Sequence, residues 1–411
     1  MDTSIPLNMG GGLDSGPLSP FIGRYVALVR EQGYKPTSIR YQLLLIAALN
    51  RWLQRTRRRA EVVDDVIIGR FLRQRLGRRR THQGERSILR RFCSLLPMGR
   101  SSAKCGRPLC SERNARIVEP YRQYLLKERG LAVHTAYAYT KWVDQFLLSR
   151  FRRKPIRLQT LKGRDLTVFV QRSVPGCRLS RSIQLVAALR SFCRFLRYQG
   201  HTEANLEPGV PSVAHWALAD VPKHLSADVV EKVLAACDRK SALGRRDYAI
   251  LLLLARLGPR AGEVLGLTLE DIDWDNGTIT LPVTKNRRGA RLPLPSDAGK
   301  AVAEYLRRDR PRCDCRRVFL RVNAPRAGLS SSPVISMIAA KALRRAGVQS
   351  ARTGAHLFRH SFATTMLGRG ASLQEIGQLL RHNNPKTTAI YAKVDVEVLR
   401  SIALPWPGGA K

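Results

Sequence analysis

Residues 356–393 read HLFRHSFATTMLGRGASLQEIGQLLRHNNPKTTAIYAK. The spacing predicts helices over 356–368, 373–381 and 386–393. Ser372-Leu373-Gln374-Glu375 is a capping box that starts the second of them. On the first helix His356, Arg359 and His360 fall at i, i+3 and i+4, so they share one face, while Phe358 and Phe362 turn toward a core. A lone histidine is usually a satisfied core residue. Two histidines and an arginine on one face instead place proton donors beside a fixed positive charge. His382 follows in the loop before Pro385, and Tyr391 sits on the short helix after Thr387-Thr388. By spacing alone Tyr391 is as good a core aromatic as a nucleophile.

The upstream sequence adds to this cluster. Ser226 can cap a helix running to residue 238, and 247–257 is a buried helix. Gly258-Pro259 breaks that helix and starts another, through Leu267, with Arg260 projecting from the restart. Strands over 278–283 and 291–295 flank Asn286-Arg287-Arg288-Gly289, a hairpin signal, with Lys285 at its mouth. Helices are expected over 298–308, 333–346 and 396–402. Transfer at a phosphodiester without a metal spreads negative charge over the non-bridging oxygens. Planar guanidinium groups match that charge bidentately, which suits Arg260 and Arg359. A hairpin lysine is either solvated or free to protonate a leaving oxygen. A tyrosine hydroxyl can attack phosphorus if nearby cations stabilise the phenolate.

The preceding half is helical. Residues 1–19 read as a flexible tail rich in Gly, Ser and Pro. An N-terminal helical domain spans 20–100, 101–116 is a linker, a second helical domain spans 117–205, and 206–223 is another linker. In the first domain an apolar run through Tyr41, Leu44, Leu45, Ala48 and Trp52 sits at i, i+3 and i+4, the spacing of a helix. The two domains echo each other. Glu31-Gln32-Gly33 matches Glu128-Arg129-Gly130 at an offset of 97, and LRRFCSLL from Leu89 matches LRSFCRFL from Leu189 at an offset of 100. The first domain therefore reads as a duplicate of the second. Arginine runs at 55–59 and 73–80 are either a solvated face or a track for a phosphate backbone.

Composition points to the same partner. The 411 residues hold 72 Lys and Arg, 57 of them Arg, against 31 Asp and Glu, a formal charge of +41. A GC-rich coding sequence explains Arg in place of Lys but not the shortage of acids, so a nucleic acid is the expected partner. No apolar stretch is long enough for a membrane span, and the N-terminus lacks the blocks of a secretory signal. A cytoplasmic chain with reduced thiols is expected. The spacing of the eight Cys does not match the usual zinc sites. No cofactor or metal is expected.

Taken together, these strings resemble the catalytic domain of the tyrosine recombinase, or phage integrase, family. Arg-x-x-Glu stands as Arg260-Ala261-Gly262-Glu263, His-x-x-Arg-His as 356–360, and Leu-Gly-His followed by Thr-Thr and Tyr as Leu380-Arg381-His382, Thr387-Thr388 and Tyr391. Arg359 and His382 lie 23 residues apart, and Tyr391 is 9 further on. The resemblance covers roughly 117–400, with SIQLVAALRSFCRFL carrying it in the helical part. Pro259, Phe358 and Arg381 depart from the family pattern, where a non-proline residue, Leu and Gly are usual, and none of the three removes a functional group. The implied fold is mainly α with a small β-hairpin or sheet in the catalytic domain (α+β). A SAM-like core-binding domain precedes a catalytic domain over 224–404 and a tail over 405–411.

The resemblance implies a reaction as well. Tyr391 attacks the scissile phosphate of double-stranded DNA, giving a 3′-phosphotyrosyl link without metal or ATP. Arg260 and Arg359 hold the phosphoryl oxygens, Lys285 protonates the 5′-oxygen, His356 assists at the tyrosine, and His382 bonds the phosphate. Family members act as a synaptic tetramer on DNA that exchanges C-terminal segments. The expected partners are DNA, further copies of the chain and related recombinase subunits, on the bacterial nucleoid. The extra helical domain favours a mobile-element enzyme that integrates or transposes DNA. The rival readings are a catalytically silent DNA-binding or architectural protein and a monomeric type IB topoisomerase.

Overall fold

In α1 (Ser19–Glu31) and α2 (Pro36–Arg55), proline stands in the first turn, where its missing N–H costs nothing. Gly33 between them takes φ +76, the left-handed conformation that glycine adopts without strain. The computed structural model describes residues 15–76, 83–97, 112–152, 154–214, 221–282, 289–382 and 384–394. The chain divides into two compact units, one of residues 1–97 with 218–411 and one of 98–217.

Residues 15–97 complete a four-helix module with α3 (Asp65–Leu76) and α4 (Gln83–Cys93) around Tyr25, Ile46, Leu49, Phe71 and Phe92. The apolar run in α2 divides between core and surface. Leu45 is buried with Ile39, Leu43, Ile46, Leu49 and Leu53, Ala48 and Trp52 pack against them, and Tyr41 and Leu44 are 48% and 53% exposed. The run LLLIAAL is apolar on two faces, so it marks a helix without fixing which face is buried.

The other unit repeats this plan. Helix α5 (Ala115–Gln123) continues as a π-helical turn Tyr124–Glu128, followed by α6 (Val133–Phe151), α7 (Gly163–Ser173) and α8 (Leu179–Tyr198). Gly130, like Gly33, is left-handed, at φ +59. A short 3₁₀ turn stands between the second and third helices of each module, Ala60–Val62 and Leu158–Thr160. Tyr25 meets Phe92 edge-on at 5.3 Å and 72°, and Tyr121 meets Phe192 at 5.2 Å and 73°. The stretch expected as a linker from 206 begins inside the module, since Leu206 and Val210 are buried in its core.

Residues 221–394 hold a large core from Leu225 to Phe358 and a smaller one of Ala363, Ile376, Leu380 and Tyr391. Helix α10 (Ala242–Leu257) is buried almost all round, with 249–254 fully enclosed. Each such leucine contributes about 1.5–3 kcal/mol relative to exposure. It packs on α9 (Ala227–Ala235), α12 (Ser296–Arg308), α13 (Ser332–Arg345) and α14 (Ala355–Leu367). Helix α10 starts five residues before the predicted 247, capped by the Ser241 hydroxyl, which accepts from the Gly244 amide at 3.1 Å. Ser226 does hold the N-cap position of α9, but its side chain makes no capping bond, and that helix stops at Ala235. Helix α11 (Ala261–Gly266) restarts after Gly258-Pro259, as predicted.

The sheet has three antiparallel strands in the order β1 (Ile272–Asp273), β2 (Thr278–Leu281), β3 (Ala290–Pro293). Ile272 pairs Ile279, and Ile279 pairs Leu292. The two-residue β1 is too short to leave a period-2 pattern. Helix α15 (Leu373–Leu379) carries the predicted capping box, with the Ser372 hydroxyl accepting from the Glu375 amide at 3.2 Å. The predicted helix at 386–393 is instead a pair of 3₁₀ segments, Pro385–Thr387 and Ala389–Val394. Pro385 and two β-branched threonines disfavour a regular α-turn there. Lys285, residues 286–288 of the hairpin turn, the helix at 396–402 and the tail at 405–411 lie outside the described residues.

Candidate active site

Arg260 is the N-cap residue of α11 and is held twice by Glu263. Its amide donates to Glu263 Oε2 at 2.8 Å and its Nη1 to Oε1 at 3.0 Å. Arg359 reaches the same place from α14, which the fully buried Phe358 anchors in the core. Its Nη1 donates to the Gly258 carbonyl at 2.6 Å and its Nη2 to the Leu380 carbonyl. Arg260 Nη2 donates to the next carbonyl, that of Arg381, at 3.2 Å. Two guanidinium groups distant in sequence thus converge on the turn just before His382. Gly258 permits this close approach. It is left-handed at φ +57, and a Cβ there would stand 2.7 Å from the Phe362 ring.

Arg381 occupies that turn in an unusual way. It takes φ +55, a conformation that costs a non-glycine residue about 1 kcal/mol or more. Its side chain is buried and donates from Nη2 to Glu263 Oε2 at 2.5 Å. The positive φ also explains why α15 ends at Leu379, two residues before the predicted 381. Burial alone would raise the Glu263 carboxyl. The Arg260 amide and the two guanidiniums outweigh it and hold the group below its usual value, so it stays an anion. Arg359 is pulled down to about 10, by burial first and then by Arg260, and remains a cation at neutral pH.

The rings form a second cluster. His382 Nδ1 lies 2.8 Å from the hydroxyl of the buried Thr388. Tyr391 is 1% exposed, and its hydroxyl lies 2.9 Å from His360 Nδ1. Burial, and then the nearby arginines and histidines, drop His360 and His382 to about 4, so both rings are neutral at pH 7. His356 is exposed at the surface, yet it too is lowered, by desolvation first and then by Arg359, Arg260 and Arg352. Its ring centroid lies 6.5 Å from that of His360. Burial raises Tyr391, with Arg359 opposing. Beside the cluster opens a cleft of about 910 Å³ whose wall includes His382, Arg381, Lys386 and Thr388.

Of the six predicted site residues, the structure thus brings Arg260, Arg359, His382 and Tyr391 to one locality. It sets His356 on the same helix as Arg359, and Lys285 falls outside the described residues. Sequence reasoning did not assign roles to Glu263, Arg381, His360 and Thr388. Each had a visible signal: the Arg-x-x-Glu spacing, an arginine where the family pattern has glycine, the last residue of His-x-x-Arg-His, and the Thr-Thr before Tyr391. Among the described residues no group of three His, Cys, Asp or Glu is placed to hold a metal ion. No helix among them is long and apolar enough to cross a membrane.

An arginine-lined turn with a buried tyrosine behind it, in a helical domain with a small antiparallel sheet, is the arrangement that the resemblance to DNA breaking-rejoining enzymes with a tyrosine implies. Comparison with known proteins agrees. Residues 223–397 match the phage integrase family and residues 118–200 match the phage integrase N-terminal SAM-like domain. A putative integrase/recombinase of Sinorhizobium fredii is 38% identical over 400 residues, covering 96% of both chains. The tyrosine recombinase XerD of Listeria monocytogenes is 29% identical over 283 residues, covering 68% of this chain and 94% of its own. The fold matches the XerH site-specific recombinase in a post-cleavage complex with its difH substrate, at TM-score 0.57 and 18% identity over 73% of this chain and 91% of that one. It also matches the Tn1549 transposon integrase with transposon end DNA, at TM-score 0.52 and 17% identity over 70% and 99%. The chain belongs to the phage integrase family of tyrosine recombinases.

Proposed function

We propose that this recombinase cuts and rejoins specific sites of double-stranded DNA for a mobile genetic element, with Tyr391 as its nucleophile. The observation that carries the reading is the convergence of Arg260 and Arg359 on the carbonyls of residues 380 and 381, next to His382. A scissile phosphate that takes the place of those carbonyls as acceptor receives two guanidinium forks where its charge develops. His382 donates a further bond, and His356 lies on the same side of α14. Tyr391 attacks phosphorus to give the 3′-phosphotyrosyl link, and Lys285 gives a proton to the departing 5′-oxygen. The link conserves the bond energy, so the reverse attack by a partner strand needs neither ATP nor metal. The working form is a synaptic tetramer of this chain, alone or with related recombinase subunits, on the nucleoid of a bacterial cytoplasm. The transposon integrase among the structural relatives supports the mobile-element role.

The test is a nicked suicide substrate that traps the covalent complex. Wild-type protein forms the adduct in the presence of chelator. Tyr391→Phe binds the same DNA and forms none. An adduct in that variant refutes the nucleophile assignment. A wild-type chain that binds DNA without ever forming the adduct supports the silent architectural reading instead.

The shared helix order, the paired left-handed glycines and the matching Tyr–Phe contacts support reading 20–100 as a duplicate of the core-binding domain at 117–205. Both regions are strongly basic. Residues 15–97 hold 18 Lys and Arg against five Asp and Glu. Arg51 and Arg55 on α2 and Arg57 and Arg59 after it are exposed, a surface suited to a phosphate backbone. Arg51→Glu with Arg55→Glu is expected to weaken DNA binding and flatten its salt dependence. An unchanged salt slope would remove this module from the DNA contact.

A further inference from the structure

The attack on phosphorus requires Tyr391 to lose its phenolic proton. Burial holds that proton more tightly than in water, so a free phenolate is not available at neutral pH. The residue the family resemblance offers for this task is His356. Yet the group within hydrogen-bond reach of the Tyr391 hydroxyl is His360, one turn further along α14, with Nδ1 at 2.9 Å. The two rings are tilted at 57° with centroids 5.7 Å apart. Both sit on the inner side of the site, Tyr391 buried and His360 half-buried, so bulk water is a poor competitor for the proton.

We propose that His360 is a further catalytic residue that takes the proton from Tyr391 during cleavage and returns it during rejoining. The inference rests on the reading of Tyr391 as nucleophile. As the Oη–P bond forms, the phenolic proton passes to Nδ1 of a neutral imidazole carrying its own hydrogen on Nε2. The P–O5′ bond breaks, and the 5′-oxygen takes one proton from Lys285. One proton enters the site's histidine and one leaves its lysine, so the step is balanced without solvent. In the reverse reaction the imidazolium gives its proton to the departing phenolate.

His360 is suited to receive because it is unprotonated. Burial is the first cause, and His356, Arg352, Arg359 and His224 around it add to the effect. A base that weak is a poor acceptor in the free enzyme. His356 is itself lowered by Arg359 and Arg352, and Arg359 faces the place where a phosphodiester carries negative charge. Bound DNA offsets their field and raises the basicity of His360. The acceptor is thereby strongest when substrate is in place, which moves it toward the pKa that favours proton transfer.

The experiment is single-turnover formation of the covalent adduct on a nicked suicide substrate, with DNA affinity measured in parallel. His360→Phe is expected to slow adduct formation about 100- to 10,000-fold, the usual weight of one proton-transfer group, with the DNA dissociation constant unchanged within about twofold. Replacing Tyr391 by 3,5-difluorotyrosine, whose phenol is far more acidic, is expected to restore most of that rate in the His360→Phe background. A ring that only packs against the tyrosine would not be rescued this way. Wild-type rates in His360→Phe, or no rescue by the fluorinated tyrosine, overturn the assignment. If His360→Phe does not fold, as judged by circular dichroism, His360→Asn carries the same two readings. An adduct in Tyr391→Phe would instead sink the nucleophile reading beneath it, so the two failures are distinct.

Discussion

The two sides of the active site handle charge differently. On one side the guanidinium groups of Arg260, Arg359 and Arg381 lie in a partly or wholly buried setting, and each is met by an anion or a carbonyl oxygen. On the other side His360, His382 and Tyr391 meet rings and hydroxyls, and burial keeps all three neutral. In the proposed mechanism the arginines that meet the developing charge are cations beforehand, and the pair that exchanges a proton, His360 and Tyr391, is neutral until substrate arrives. The difference teaches that burial serves opposite ends a few residues apart, depending on whether a counter-charge is supplied.

This contrast can be broken most forcefully at Glu263, the carboxylate that holds the cationic side together. Glu263→Ala leaves the buried Arg381 guanidinium without its partner, and equilibrium urea unfolding should show a loss of about 3–5 kcal/mol. A loss under about 1 kcal/mol would mean that the ion pair is not buried as described. The neutral side has its own signature in pH. The folded values of His360 and His382, about 4, lie below the ordinary histidine value of 6.5 in the unfolded chain. As pH falls below about 6.5 the unfolded chain binds protons that the folded protein refuses, so stability declines until about pH 4. Urea midpoints at pH 7.5 and 5 should therefore differ, and by less in the double variant His360→Gln, His382→Gln.

Smaller effects sharpen the same comparison. Arg381→Gly and Arg381→Ala both delete the guanidinium, but only glycine accepts φ +55 freely, so the glycine variant should be the more stable by about 1 kcal/mol. Equal unfolding midpoints would refute the left-handed backbone at that position. On the neutral side Thr388→Val removes the hydroxyl that faces His382 and should cost about 1 kcal/mol, the ordinary net weight of such a bond. Its effect on cleavage of the suicide substrate should exceed its effect on DNA binding.

Much of this site could be read from the chain because its parts are local. The i, i+3, i+4 spacing put His356, Arg359 and His360 on one helical face, and the Gly-Pro break put Arg260 at a helix start. What could not be read was pairing across distance. Glu263 and Arg381 are 118 residues apart, and His360 and Tyr391 are 31 apart, so no periodicity links them. Nor could spacing fix the buried face of α2, where apolar residues on two sides left periodicity without a preference. The mainly α plan with a small sheet was legible, but strand β1 was not, because two residues carry no alternation.

The left-handed Arg381 also constrains how this lineage can change. Changing it alone to the glycine of the family pattern eases the backbone yet strips Glu263 of one of its two cations. Altering Glu263 alone strands two arginines at once. Positions 260, 263 and 381 are therefore epistatic. A substitution of Glu263 that is tolerated beside a glycine is expected to be damaging here, because it leaves a buried guanidinium without its counter-charge.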